Sequence, residues 1–155
     1  MASRRSQINM SDAEIAAYLA EQKVLNVATN GPSGHPHVVA MWYEYVGGEL
    51  CFWTFAKSQK IVNLRRDAKM TGLVESGTTY SELRGVELVG AGRIIDDPER
   101  VLEIGKAIGV KYNGPNAVSD TALPFIEAQA RKRLGVAFQV ERMVSWDHTK
   151  LGGGY

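Results

Sequence analysis

Ten consecutive residues, Thr54-Phe55-Ala56-Lys57-Ser58-Gln59-Lys60-Ile61-Val62-Asn63, gather hydroxyl, amide and ammonium donors where a strand hands over to a helix. The free amides and dipole of a helix N-terminus favour an anion there, as do Lys57 and Lys60. Thr54 and Ser58 add directional hydrogen bonds, with Gln59 and Asn63 as further polar groups on the helix. These are the parts of a phosphate clamp. A solvated basic helix has the same composition, and most charge runs are solvated faces. Order along the chain favours the clamp, because the segment follows a hairpin carrying Trp42, Tyr43, Phe52 and Trp53. Such aromatic surface suits a flat ring beside a phosphate, although core packing explains it equally well.

Other groups offer less chemistry. His35 and His37 sit two apart and could share a strand face, yet no third ligand is near, so a metal site is not expected. Cys51 has no basic partner in a motif and reads as an inert strand residue rather than a nucleophile. Gly90-Ala91-Gly92 begins like a dinucleotide fingerprint, but Ile95 stands where the last glycine belongs and no helix opens there. Asp147 and His148 are adjacent, so on a strand they point to opposite faces and cannot form an acid–base dyad. His148 fits a surface or dimer contact.

The elements that must position the clamp follow from periodicity. Ser11-Asp12-Ala13-Glu14 is a capping box that starts a helix, and Ile15, Tyr18 and Leu19 give it one apolar stripe. Residues 24–28 form a short apolar strand ended by the turn formers of residues 30–34. Residues 37–46 read as a second strand, Gly47-Gly48 as a two-residue hairpin turn, and residues 49–54 as a third strand. A short helix begins near Ser58 and ends at Arg66-Asp67. Strands over residues 70–75 and 85–95 follow, then a helix from Glu99 to about Lys111. Asp97 caps that helix, and Val101, Leu102 and Ile108 face inward. Residues 123–134 read as another helix and residues 136–146 as the last strand. The sum is a mainly β protein with peripheral helices, a six-stranded antiparallel barrel, closed or split.

Length and composition frame this reading. With 155 residues, 45% of them hydrophobic and 23% charged, the chain suits one domain with a sizeable core, here residues 11–155 after a flexible, frayed start at residues 1–10. No repeat or linker is visible. Eighteen Lys and Arg against 17 Asp and Glu leave a formal charge of +1, so no global field draws the chain to nucleic acid. Arg4 and Arg5 have no apolar stretch behind them, and nothing downstream reaches the roughly 18 apolar residues of a membrane span. A single cysteine suits a reducing cytoplasm.

The residues Gly34-His35-Pro36-His37-Val38, Trp53-Thr54, Ser58-Gln59-Lys60 and Asn63-Leu64-Arg65-Arg66-Asp67 together resemble the pyridoxamine-phosphate-oxidase-like split barrel. The likeness covers nearly the whole chain. Residues 80–92 and the ending Ser145-Trp146-Asp147-His148-Thr149-Lys150-Leu151-Gly152-Gly153 are most similar to its small actinobacterial branch, which uses the deazaflavin coenzyme F420. The resemblance implies a homodimer with two cofactors at its interface, each phosphate held at Thr54, Ser58, Gln59 and Lys60. The strand carrying His37, Val38, Val39 and Met41 would run beside the ring. Arg84 would approach from the other subunit, with Trp146 and Lys150 closing near the cofactor. One departure stands out. Pyridoxamine-phosphate oxidases close with arginine-leucine-histidine, whereas here Lys150-Leu151 is followed by Gly152. Lysine cannot copy the planar, bidentate grip of arginine, which argues against vitamin B6 oxidation.

The expected activity is therefore hydride transfer from reduced F420 to a conjugated small molecule. An FMN oxidoreductase on the same barrel, or a non-enzymatic binder of cofactor or another small ligand, remain as alternatives. Lys57, Arg65, Arg66 and Lys69 would supply charge for the oligoglutamate tail of F420. No catalytic residue is assigned, Tyr80 and His37 being the weak candidates for a proton donor.

Overall fold

A computed structural model describes residues 3–152 and shows seven strands in one antiparallel sheet, in the order β2-β1-β5-β6-β7-β4-β3. The strands are β1 (Leu25–Asn30), β2 (Pro36–Met41), β3 (Glu44–Val46), β4 (Glu49–Phe55), β5 (Lys69–Ser76), β6 (Arg84–Ile95) and β7 (Arg133–Asp147). Strands β2 and β3 are the two edges of the sheet, yet only Trp42 and Tyr43 separate them in sequence. Three Cα steps from Met41 to Glu44 span at most about 11 Å. The sheet must therefore curl until its edges approach, and the seam between them carries no ladder. This is a half-barrel, the split barrel expected from the sequence.

Seven strands replace the expected six because the run over residues 37–46 breaks at Trp42-Tyr43. Helix α4 (Pro98–Asn113) supplies the reason. The Tyr112 hydroxyl accepts from the Tyr43 amide at 2.9 Å and donates to the Lys23 carbonyl at 2.8 Å, so a side chain takes the place of a neighbouring strand. The Trp42 ring stacks on Tyr112 with centroids 4.4 Å apart. At the other end of β3, Gly47 and Gly48 have φ of 60° and 81°, the left-handed pair that a two-residue hairpin turn requires.

Helix α2 (Asp12–Glu21) carries the complete Ser11–Glu14 capping box and buries Tyr18 and Leu19 in the barrel core. Before it, α1 (Arg4–Ile8) is a helical turn capped by Ser3. Met10 beyond it is buried, and its amide donates to Ser145 Oγ at 3.0 Å. Residues 1–2 and 153–155, Gly153 among them, lie outside the described residues. Helix α3 (Gln59–Arg66) follows β4 directly.

Two cores result. Leu50 and Phe52 point into the barrel with Leu25, Leu88, Val136 and Phe138. Cys51, alternating with them, faces outward under α4 with Val101, Ile104 and Ile108, and Trp53 packs against that group. The inward place expected of Leu102 belongs to Ile104, because 101, 104, 105 and 108 form the stripe while Leu102 is half-buried toward α5 (Leu123–Ala130). That helix ends four residues earlier than the expected residue 134. Arg133 and Leu134 are captured by β4, pairing with Phe55 and Thr54. Among the described residues no helix is long and apolar enough to cross a membrane.

Candidate functional site

Alternation along β4 turns Thr54 to the barrel side at the strand end, where α3 begins. Thr54 Oγ1 accepts from Lys60 Nζ at 2.9 Å and donates to Ser58 Oγ at 3.3 Å. Ser58 is the residue before the helix, and its side chain makes no capping bond, so the first-turn amides carry no side-chain cap. Lys60 is only 8% exposed, and no carboxylate lies within ion-pair reach of it among the described residues. Burial pushes its pKa below the ordinary lysine value. A buried ammonium with one hydroxyl partner is costly to hold.

Thr54 and Lys60 line a cavity of about 300 Å³ at the open seam. Ala40 and Met41 come from β2, Trp53 and Phe55 from β4, Arg133 from β7, and Trp42 from the crossing. Arg133 is the residue that sequence reading missed. Its guanidinium lies 4.8 Å from the Trp53 ring centroid and 4.3 Å from that of Phe55. It donates to the Gln129 carbonyl at 3.3 Å and to Gln129 Oε1, and burial lowers its pKa. Two cations that have no carboxylate partner among the described residues therefore line one cavity, a charge balance that suits an anion.

Gln59 and Asn63 are occupied within the chain. Asn63, fully buried, donates to Thr29 Oγ1 at 3.0 Å and accepts from Gln59 Nε2 at 2.8 Å, tying α3 to β1. His37, Val38, Val39 and Met41 run along the free edge of the sheet in alternation, with Val38 exposed and the others half-buried. Lys57 is exposed in the turn before α3, and Arg65 and Arg66 sit in the last turn of that helix, about 12 Å further along its axis. Arg66 donates to the Asn30 carbonyl and, at 3.4 Å, to Asn63 Oδ1. Burial pushes the Cys51 thiol up to about 11, in keeping with an inert residue.

Arg84, Trp146 and Lys150 gather elsewhere. Leu134 pairs with Thr54 at one end of β7, while Trp146 pairs with Gly85 and Asp147 with Arg84 at the other, up to about 40 Å along the strand. Arg84 Nε lies 3.5 Å from Asp147 Oδ2, and the guanidinium covers the Tyr18 ring at 4.7 Å. The Trp146 ring rests on Gly85 so closely that a Cβ there would come within 2.2 Å of it. Tyr80, the other weak proton-donor candidate, packs edge-on against His148 at 4.5 Å in the same region.

Lys150 donates to the Asn9 carbonyl and to Glu14 Oε2, each at 2.8 Å, so its ammonium ties the chain end to the capping box. The Lys150 hydrogen bond, followed by the Ser11 amide, lowers the Glu14 pKa from 4.5 to about 2. A carboxylate depressed in the folded state contributes stability above its ordinary pKa and loses it as pH falls through the folded value. Lys150→Met is thus expected to melt below wild type at neutral pH, the gap closing between pH 4.5 and about 2. Thermal melts across that range check it, and a gap independent of pH would contradict the link.

A conserved hypothetical protein from Mycobacterium tuberculosis superposes with a TM-score of 0.91 at 42% identity, over 99% of this chain and 95% of that one. An F420 reductase matches at 0.60 and 24% identity, over 82% of this chain and 93% of its own. An FAD and heme binding protein from Mycobacterium smegmatis matches at 0.69 and 15%, over 96% and 81%. No curated protein matches. The last two likenesses speak for the fold alone. Residues 11–146 match the family model described as pyridoxamine 5'-phosphate oxidase, and the chain belongs to that family.

Proposed function

We propose that the protein is an F420-dependent reductase that transfers hydride to a conjugated small-molecule acceptor. The observation that carries the cofactor reading is Lys60, a nearly buried ammonium with no carboxylate beside it among the described residues, next to a helix start without a side-chain cap and a seam walled by aromatic rings. Thr54 and Lys60 would hold the phosphate, assisted by the first-turn amides of α3. The edge of β2 from His37 to Met41 would flank the ring, and Trp42 and Trp53 would keep water from the seam. When bound, a deazaflavin supplies the hydride; the protein supplies position and electrostatics.

FMN dependence is the second reading, and Arg66 favours it. That arginine already donates to Asn30 and Asn63, which leaves fewer free N–H donors for an oligoglutamate tail. Titration of the apo-protein with F420 and with FMN, followed by fluorescence, separates the two. Binding to neither would refute both, and binding without turnover would indicate a carrier. If Arg65, Lys57 and Lys69 guide the tail, F420 affinity falls with salt more steeply than FMN affinity, since more carboxylates are screened over about 8 Å. Equal salt slopes would favour FMN.

The reading includes a homodimer. Arg84 at the start of β6 and Trp146 near the end of β7 sit at the end of the ladder remote from the Leu134–Thr54 pair, and in this reading a second copy would bring them to the cavity. Sedimentation at micromolar concentration should give twice the chain mass. A monomer that binds cofactor tightly would sink the shared site.

A further inference from the structure

A second cavity, of about 540 Å³, opens between α4 and α5 and abuts the first, with Trp42, Trp53 and Arg133 walling both. The cofactor reading makes no use of it. Small-molecule sites commonly occupy about 300–1,000 Å³ and combine apolar walls with a few polar groups, as here. Its shape is a slot. The Trp53 ring rests on Gly105, where a Cβ would approach within 2.4 Å, and Gly109 one turn later leaves Ile126 Cδ1 only 3.1 Å from a notional Cβ. Trp42, stacked on Tyr112, fixes one wall, and Phe125, 69% exposed, stands at the mouth. Ala117 and Ala122 keep the slot open.

The polar groups are few and their chemistry is selective. Arg133 has no carboxylate within ion-pair reach among the described residues, and Gln129 engages its Nη1. One cation at the end of an aromatic slot suits a single anionic group joined to a flat body. A polyphosphate would want more charge than this slot holds, and a long acyl chain more length.

We propose that the α4–α5 slot binds a planar, mostly apolar acid, of the class of aromatic or conjugated carboxylates, with its ring against Trp53 and its carboxylate on Arg133. It is a ligand subsite beside the cofactor cavity. The assignment rests on the reductase reading only where this ligand is taken to be the acceptor.

The probe is 2-naphthoate, added to the full chain without cofactor while tryptophan fluorescence is followed, since Trp42 and Trp53 line the slot. Saturable quenching is expected. Arg133→Gln, and separately Ala117→Phe, should each raise the Kd at least about tenfold, the effect expected of a lost charged hydrogen bond or a filled site. Ala122→Leu serves as a second filler if Ala117→Phe does not fold. The neutral 2-naphthamide should bind at least about tenfold more weakly. Lys60→Met should leave the naphthoate Kd unchanged while cofactor affinity falls, so loss of the cofactor reading alone leaves this one standing. Absence of saturable quenching, equal binding of the amide, or indifference to both fillers would overturn it.

Discussion

Replacing Lys60 by Ala is expected to weaken cofactor binding by about 1–3 kcal/mol, the loss that follows when a charged partner of a phosphate is removed. The same substitution tests the clamp in the cofactor-free protein. Lys60 is 8% exposed and among the described residues its ammonium is bonded only to Thr54 Oγ1, so its charge is held without a counter-ion until an anion arrives. Because burial lowers its pKa, the folded chain binds fewer protons than the unfolded one between the depressed and the ordinary value. Stability therefore rises with pH through that window. Lys60→Met should abolish this rise and leave the apo-protein no less stable at neutral pH. On a merely solvated helix the substitution would shift stability by less than about 0.5 kcal/mol and leave affinity untouched. Titration and melts of the two variants decide between these outcomes.

Phe52→Ala is expected to destabilise the fold by about 3–5 kcal/mol, because a fully buried aromatic side chain leaves both its transfer energy and a cavity behind. Its position makes the loss functional as well. Phe52 anchors β4 between Leu50 and Thr54 on the barrel side, and pairs with Val136 in the ladder that also sets Thr54 opposite Leu134 and Phe55 opposite Arg133. Loosening that register moves the hydroxyl and the guanidinium together. Denaturant unfolding should show the midpoint fall, and cofactor affinity should fall with it even though Phe52 does not line the cavity. A loss below about 1 kcal/mol would mean that the core collapses around the gap.

The parts of this protein set by near neighbours were legible in its amino-acid order. Ser11 with Glu14, Asp97 before Pro98, and Gly47-Gly48 act within a few residues, so caps and turns stand where their chemistry places them. Alternation over residues 49–54 and the basic segment that follows marked β4, α3 and the Thr54–Lys60 pair for the same reason. What tertiary structure decided depends on partners far along the chain. Tyr112 breaks the strand at Tyr43 across 69 residues. Arg133, expected in the last turn of a helix, enters the cavity only because β7 pairs with β4, and the ladder sends Arg84 and Trp146 to its remote end. Register between distant segments is set by which faces can be buried together, a property of the assembled sheet that no local spacing encodes.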